Sequence, residues 1–158
     1  MKIKHLLLLV CIAGCFAACN KSESDTSTAT AAAQFTTDTI AIRKYIVANN
    51  IPALKDKSGV FYQIIAPGTG TVVYSSSTII SGTYSGKLLN GTIFDSGLIQ
   101  SQYLSSLIEG WRIGIPYIQN GGQIRLIIPS VDGYGTTAVG SIPANSILDF
   151  TVTLNDVQ

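Results

Sequence analysis

The sequence predicts an α+β fold: a curved antiparallel β-sheet wrapped around one short central helix, with an extra N-terminal helix. Three observations carry this. Residues 147–157 alternate cleanly, with Leu148, Phe150, Val152 and Leu154 on one face and Asp149, Thr151, Thr153 and Asn155 on the other. Asn90-Gly91 sits between two β-rich runs and is the best hairpin signal in the chain. Leu107-Ile108-Glu109-Gly110-Trp111 is followed by Gly114 and Pro116, which stop a helix within about two turns.

In chain order, Lys2, Lys4 and His5 precede an apolar run from Leu6 to Ala13, too short to span a bilayer as a stable helix. Phe16-Ala17-Ala18-Cys19 then places small residues before a cysteine. It resembles the lipobox of bacterial lipoproteins, which implies a leader over 1–18, a lipidated Cys19 and a cell-envelope location. A secretory signal cut after Ala18 and an uncleaved anchor are the alternatives. Residues 19–35 are polar and small, and read as a disordered tether reaching roughly 20 Å.

Thr36-Thr37-Asp38 supplies helix-capping candidates, and Ile40, Ala41, Ile42, Tyr45, Ile46 and Val47 follow at helical spacing. The spacing predicts a helix over 38–49, packed on the outside of its own domain or held out for a partner. With a charged link at Leu54 to Ser58 it makes an N-terminal helical segment over 36–58, ahead of a sheet domain over 59–158. Val60 to Ile65 is a strand ended by Pro67-Gly68-Thr69-Gly70, and Thr71 to Tyr74 is a candidate short strand. Thr78 to Leu88 is a longer strand, with Gly82 and Gly86 as bulge or close-approach points. Thr92 to Ser96 returns from the hairpin, and a loop leads to Ser106. Ser106 and Glu109 have capping-box spacing, so the Trp111 helix is expected to open there. Gln123 to Pro129 is a buried strand, and Ser130 to Asn145 is loop.

Composition narrows the function. The chain is 46% hydrophobic and 12% charged with a formal net charge of +1, which disfavours nucleic acid as a partner. Its three cysteines (Cys11, Cys15, Cys19) and its one histidine (His5) all lie in or at the end of the leader. The folded part therefore has no disulfide frame, no histidine-based triad, and no cysteine or histidine metal site. No cofactor is implied. Trp111, the sole tryptophan, is either a core residue or a flat floor beneath a ligand. Around it the turn-flanked strands bring Tyr84, Phe94, Asp95, Leu107, Ile108, Tyr134, Ile142 and Phe150, the makings of an apolar bowl with a few polar groups on its rim.

In order along 78–155, several segments resemble the FKBP-type peptidyl-prolyl cis-trans isomerases: Tyr84-Ser85-Gly86-Lys87-Leu88, Asn90 to Ser96, Leu107 to Trp111, Gly121 to Pro129, Gly133-Tyr134-Gly135 and Ile142 to Phe150. The resemblance implies that residues 59–158 form a prolyl isomerase domain. It implies that Trp111 is the floor for a substrate proline ring, with Tyr84, Phe94, Ile108 and Phe150 as walls and Asp95 a carboxylate in the wall. Tyr134 matches a rim hydroxyl that bonds a substrate carbonyl, the Ile108 N–H a backbone donor to the ligand, and Ile142 the lip. The implied partners are proline-containing polypeptides, macrolide inhibitors and, through the lipid, a membrane.

Three departures from the family pattern stand out. Gln102, with Tyr103 beside it, falls where a wall phenylalanine is expected. Ser130-Val131-Asp132-Gly133 replaces a proline-containing approach to the rim tyrosine. The loop from Thr136 to Ser141 lacks an aromatic or histidine. They leave open a second reading, a membrane-anchored module that binds proline segments as a chaperone with little turnover. A third reading, a structural lipoprotein whose pocket has collapsed, is also open.

Overall fold

The structure, a computed structural model, describes residues 22–158. The leader expected over 1–18, Cys19 and the first residues of the tether lie outside the described residues. No helix among the described residues is long and apolar enough to cross a membrane.

Among the described residues, alternation becomes one antiparallel sheet of six strands in the order β1-β2-β5-β6-β3-β4. These are β1 (Leu54–Lys55), β2 (Phe61–Ala66), β3 (Ile79–Leu88), β4 (Ile93–Tyr103), β5 (Gln123–Ile128) and β6 (Leu148–Val157). The cleanest alternation belongs to β6, which pairs with β5 on one side and β3 on the other. Its inward residues Leu148, Val152 and Leu154 are fully buried and Phe150 nearly so. Asn90-Gly91 makes the expected turn between β3 and β4, with Gly91 at φ 90°. The Gly91 N–H donates to the Leu88 carbonyl, and the Leu88 N–H donates to that of Thr92.

The helix α2 (Glu109–Gly114) packs on the inner face of β5. Two glycines one turn apart make this contact close. A Cβ on Gly110 would stand 2.6 Å from Ile128 Cδ1 and 2.7 Å from its Cγ1, and one on Gly114 would stand 2.9 Å from Leu126 Cδ1. With no Cβ in the way, the helix backbone rests on those buried side chains, and Trp111 joins the main core with its ring against Phe150.

The outer face is not uniformly wet, as the β6 alternation alone suggests. The helix α1 (Ser22–Ala48) lies against it, with Ile42 fully buried beside Ile51, Phe61 and Ile127. Asp149, on the outward side of β6, is sealed beneath it at 1% exposure. Its carboxylate accepts two bonds from Arg125, at 2.8 and 2.6 Å, and one from the Tyr45 hydroxyl at 2.9 Å. Of the apolar positions that predict α1, Ile42, Tyr45 and Ile46 dock, while Ile40 and Val47 face solvent.

Several boundaries differ from expectation. The helix α1 begins at Ser22, so the stretch read as a disordered tether is helical from there on. Ala29, Ala31, Ala32 and Ala33 supply strong helix formers, and low hydrophobicity argues against a packed core rather than against a helix continuing from a docked segment. Thr36 and Thr37 are not caps; their hydroxyls donate to the Ala32 and Ala33 carbonyls one turn back. Part of the charged link is strand β1, paired with β2. Thr71 to Tyr74 forms no strand, because its backbone is occupied by the Gln119 side chain at Val72.

Strand β4 runs to Tyr103, well beyond Ser96, because β3 offers partners along its whole length, with the pairing slipping between Ile80 and Gly82. Cross-strand pairing overrides the weak β propensity of its glycine, serine and glutamine residues. Ser106 does not cap α2. It ends a 3₁₀ turn over Leu104–Ser106, its hydroxyl bonds the Tyr103 carbonyl at 2.7 Å, and Ile108 occupies the N-cap with no side-chain bond. Glu109 instead pairs with Arg112 at 2.6 Å.

Candidate functional site

A cavity of about 510 Å³ opens between β3, β4, α2 and the loop before β6. Every residue singled out in the sequence for the bowl lines it: Tyr84, Phe94, Asp95, Leu107, Ile108, Trp111, Tyr134, Ile142 and Phe150. Trp111 and Phe150 are buried, at 5% and 4% exposure, and form the deep end. Their rings meet edge to face, centroids 5.2 Å apart at 89°. Phe94 meets Phe150 the same way at 5.4 Å and 84°, and Tyr84 meets Trp111 at 5.6 Å and 76°. Edge-to-face contacts suit aromatic quadrupoles, and a chain of them fixes ring orientation without polar groups. Gly86 makes room for this cluster: a Cβ there would lie 2.5 Å from Phe150 Cε1 and 2.6 Å from Phe94 Cζ.

The polar rim has two parts. On one side the Tyr84 hydroxyl donates to Asp95 Oδ2 at 2.6 Å. That hydrogen bond, then burial and the carboxylate's charge, push the Tyr84 phenol up to about 12, so it is a donor throughout the physiological range. On the other side Tyr134 sits on the loop after β5, where a 3₁₀ turn over Ser130–Asp132 leads into it. The Gly133 and Gly135 amides, either side of Tyr134, both donate to the Ser130 carbonyl, at 3.0 and 2.8 Å. Asp132 Oδ2 is buried without a partner among the described residues. Burial, and secondarily the charge of Glu109, raise its carboxyl to about 6. Ile108, which lines the cavity, is the N-cap of α2, so its N–H has no intrahelical acceptor.

The match of cavity and motif order points to one family, and direct comparison agrees. The family model for FKBP-type peptidyl-prolyl cis-trans isomerase matches residues 71–155. The chain belongs to that family. Among curated relatives, the FKBP-type isomerase FkpA of Buchnera aphidicola (subspecies Schizaphis graminum) is 41% identical over 108 residues, covering 66% of this chain and 43% of that protein. FkpA of Escherichia coli is 37% identical over 105 residues, covering 64% and 38%. The matched region thus spans less than half the length of these relatives. The crystal structure of FkpA from Escherichia coli superposes with a TM-score of 0.69 at 31% identity, covering 87% of this chain and 66% of that one. A peptidyl-prolyl cis-trans isomerase from Pseudomonas syringae pv. tomato gives 0.64 at 27% identity, covering 80% and 94%.

Within this FKBP domain the departures from the family pattern have definite places. Gln102 does line the cavity, and beside it Ile99, 6% exposed, and Leu98, 67% exposed, supply apolar wall and lip. Both were hidden in the sequence because 97–105 reads as loop. Ile99 keeps the alternation of Asp95 and Gly97 along β4, and the slip between Ile80 and Gly82 then sets Gln102 opposite Ile80. Val139, Gly140 and Ser141 also line the mouth. They form a tight turn closed by reciprocal backbone bonds between Val139 and Ile142, with Gly140 at φ 55°. The glycine was the available signal for that turn. Ser130, in the altered approach to Tyr134, is fully buried, and Asp38 of α1 holds it through its amide and its hydroxyl.

Proposed function

We propose that the chain is a peptidyl-prolyl cis-trans isomerase of the FKBP type that acts on proline-containing segments of envelope or secreted proteins. The observation that carries the reading is the aromatic cavity lined by Trp111, Phe94 and Phe150, with the Tyr84 and Tyr134 hydroxyl-bearing side chains at it. Rotation about an amide costs about 18–20 kcal/mol because the planar form is resonance-stabilised. An uncatalysed X–Pro bond takes tens to hundreds of seconds to interconvert. The twisted transition state carries less charge on its carbonyl oxygen than the planar ground state. A site that grips the proline ring among Trp111, Phe94, Tyr84 and Phe150 while excluding water favours the twisted form. No nucleophile, metal or general base is required. Asp95, held by Tyr84, and Tyr134 tune the surroundings of the carbonyl, while Leu107, Ile108 and Ile142 hold the flanking chain.

The leader and Cys19 support a lipid-anchored position in the cell envelope, with mass spectrometry of the membrane fraction as its test. Turnover is tested by a protease-coupled prolyl peptide assay on the full chain in detergent. Wild type should accelerate isomerisation, and Trp111→Ala and Phe94→Ala should each lose most of that acceleration. Equal rates in all three would overturn the assignment. The exposed apolar lip formed by Leu98 and Val139, the latter at 40% exposure, favours a second reading in which the same pocket holds unfolded chains with little turnover. Tight binding of a prolyl peptide without acceleration would select it.

A further inference from the structure

We propose that Asp38 of α1, outside the matched family segment, is a positioning residue for the Tyr134 rim of the cavity; the proposal rests on the isomerase reading for its effect on turnover. Asp38 is 2% exposed in the middle of a helix. A carboxylate there is costly unless its oxygens are satisfied. Gln34 Nε2 donates to Oδ1 at 2.8 Å, and Ser130 donates to Oδ2 twice, from its amide at 2.8 Å and its hydroxyl at 2.6 Å. Ser130 is itself fully buried. Its carbonyl accepts the amides of Gly133 and Gly135. The carboxylate therefore fixes one residue, and that residue holds the amides of both glycines that flank Tyr134. No other side chain among the described residues bonds Ser130.

The same helix has a second polar anchor for comparison. The Tyr45 hydroxyl bonds Asp149 on the outer face of β6, away from the rim loop. An anchor that only docks α1 should behave like this one. A tether that sets the rim should not.

The test uses the full chain and two readouts, prolyl peptide turnover and hydrogen exchange of the Gly133 and Gly135 amides. Asp38→Ala should speed exchange at both amides and lower kcat/KM by about tenfold, short of the roughly hundredfold that a full 1 Å misplacement can cost. Tyr45→Phe should leave exchange at those amides and turnover within about twofold of wild type. Ser130→Ala, which keeps the amide bond but drops the hydroxyl, should fall between them. Asp38→Asn should restore most of the loss, since its carbonyl oxygen can accept from Ser130 while its amide meets Gln34. Combined with Tyr134→Phe, Asp38→Ala should add little further loss, because both act through one hydroxyl. If Asp38→Ala leaves exchange unchanged, or if Tyr45→Phe matches it in both readouts, the proposal is overturned. If wild type shows no turnover while exchange still responds to Asp38→Ala, the isomerase reading falls and the tether stands.

Discussion

Replacing Gly110 with alanine sets two opposed effects against each other, and the structure says which wins. Alanine is the better helix former by at most about 1 kcal/mol. The added Cβ, however, would lie inside contact distance of three atoms of Ile128, a side chain with no exposed surface. Ile128 cannot retreat, because it is packed into the main core within β5. Forcing a methyl into such a site costs about 1–3 kcal/mol, and the contact with one rigid β-branched side chain places this case at the upper end. The net loss should be about 1–2 kcal/mol, a fall in Tm of about 5 °C for a chain this size. If α2 moves off β5 to relieve the overlap, Trp111 moves with it, so kcat/KM should fall by about tenfold as well. Thermal unfolding followed by circular dichroism, alongside the prolyl peptide assay, reads both. Gly97→Ala is the control, since its Cβ would meet Tyr84 only at 3.9 Å, an ordinary contact. Repeating Gly110→Ala in an Ile128→Ala background should shrink the cost, as expected for residues that couple through one contact. A Gly110→Ala protein with wild-type Tm and turnover would show that the glycine is not what seats the floor.

Other outcomes follow from the charged and phenolic groups. Asp132, raised to about 6 by burial, binds its proton more tightly folded than unfolded, so it lowers stability as pH rises from about 4 to 6. Asp132→Asn should flatten that part of the stability–pH curve and add about 1 kcal/mol at pH 7, a value discounted for solvent screening; no change in denaturation midpoint at pH 7 would refute it. Removing Arg125 strands the buried carboxylate of Asp149, and Lys87 at 3.8 Å compensates only in part. Arg125→Ala should therefore cost about 3 kcal/mol in urea unfolding, with Arg125→Met and Asp149→Leu together recovering most of it. The Tyr84 phenol should ionise near pH 12, and the stability its bond to Asp95 contributes is present below pH 10 and lost as pH rises through 12. In ultraviolet titration, the difference between wild type and Tyr84→Phe should rise near 12; a component at 10 would mean the bond to Asp95 does not form in solution.

The bowl was legible in the sequence because its residues are carried by strands whose periodicity is strong or by turns with glycine. The alternation of β6 fixes Phe150 inward, Asn90-Gly91 fixes the hairpin that brings the Phe94 ring against Gly86, and Gly114 with Pro116 limits the helix beneath. Leu98, Ile99 and Gln102 were not legible in this way. Leu98 and Ile99 face as they do because β4 keeps its pairing with β3 past Ser96, and Gln102 because that pairing slips beyond Gly82; nothing local to 97–105 encodes either. The capping-box spacing at Ser106 misled for a related reason. The serine hydroxyl had a nearer acceptor in the 3₁₀ turn that ends β4.

The outer face of β5 shows where a strand-by-strand reading stops short. Leu126 and Ile128 face the cavity side, while Arg125 and Ile127 face α1. A strand buried on both faces needs two covers, and the segment matched by the family model supplies only one of them. The second cover is α1, which brings Ile42 onto Ile127, Tyr45 onto the Arg125–Asp149 pair and Asp38 onto Ser130. Deleting it would expose apolar surface on Phe61 and Ile127, remove two bonds from buried Ser130 and remove one from buried Asp149. The helix therefore closes the outer face through a small core of its own, Ile42 with Ile51, Phe61 and Ile127, and the cavity's rim is held from the far side of the sheet.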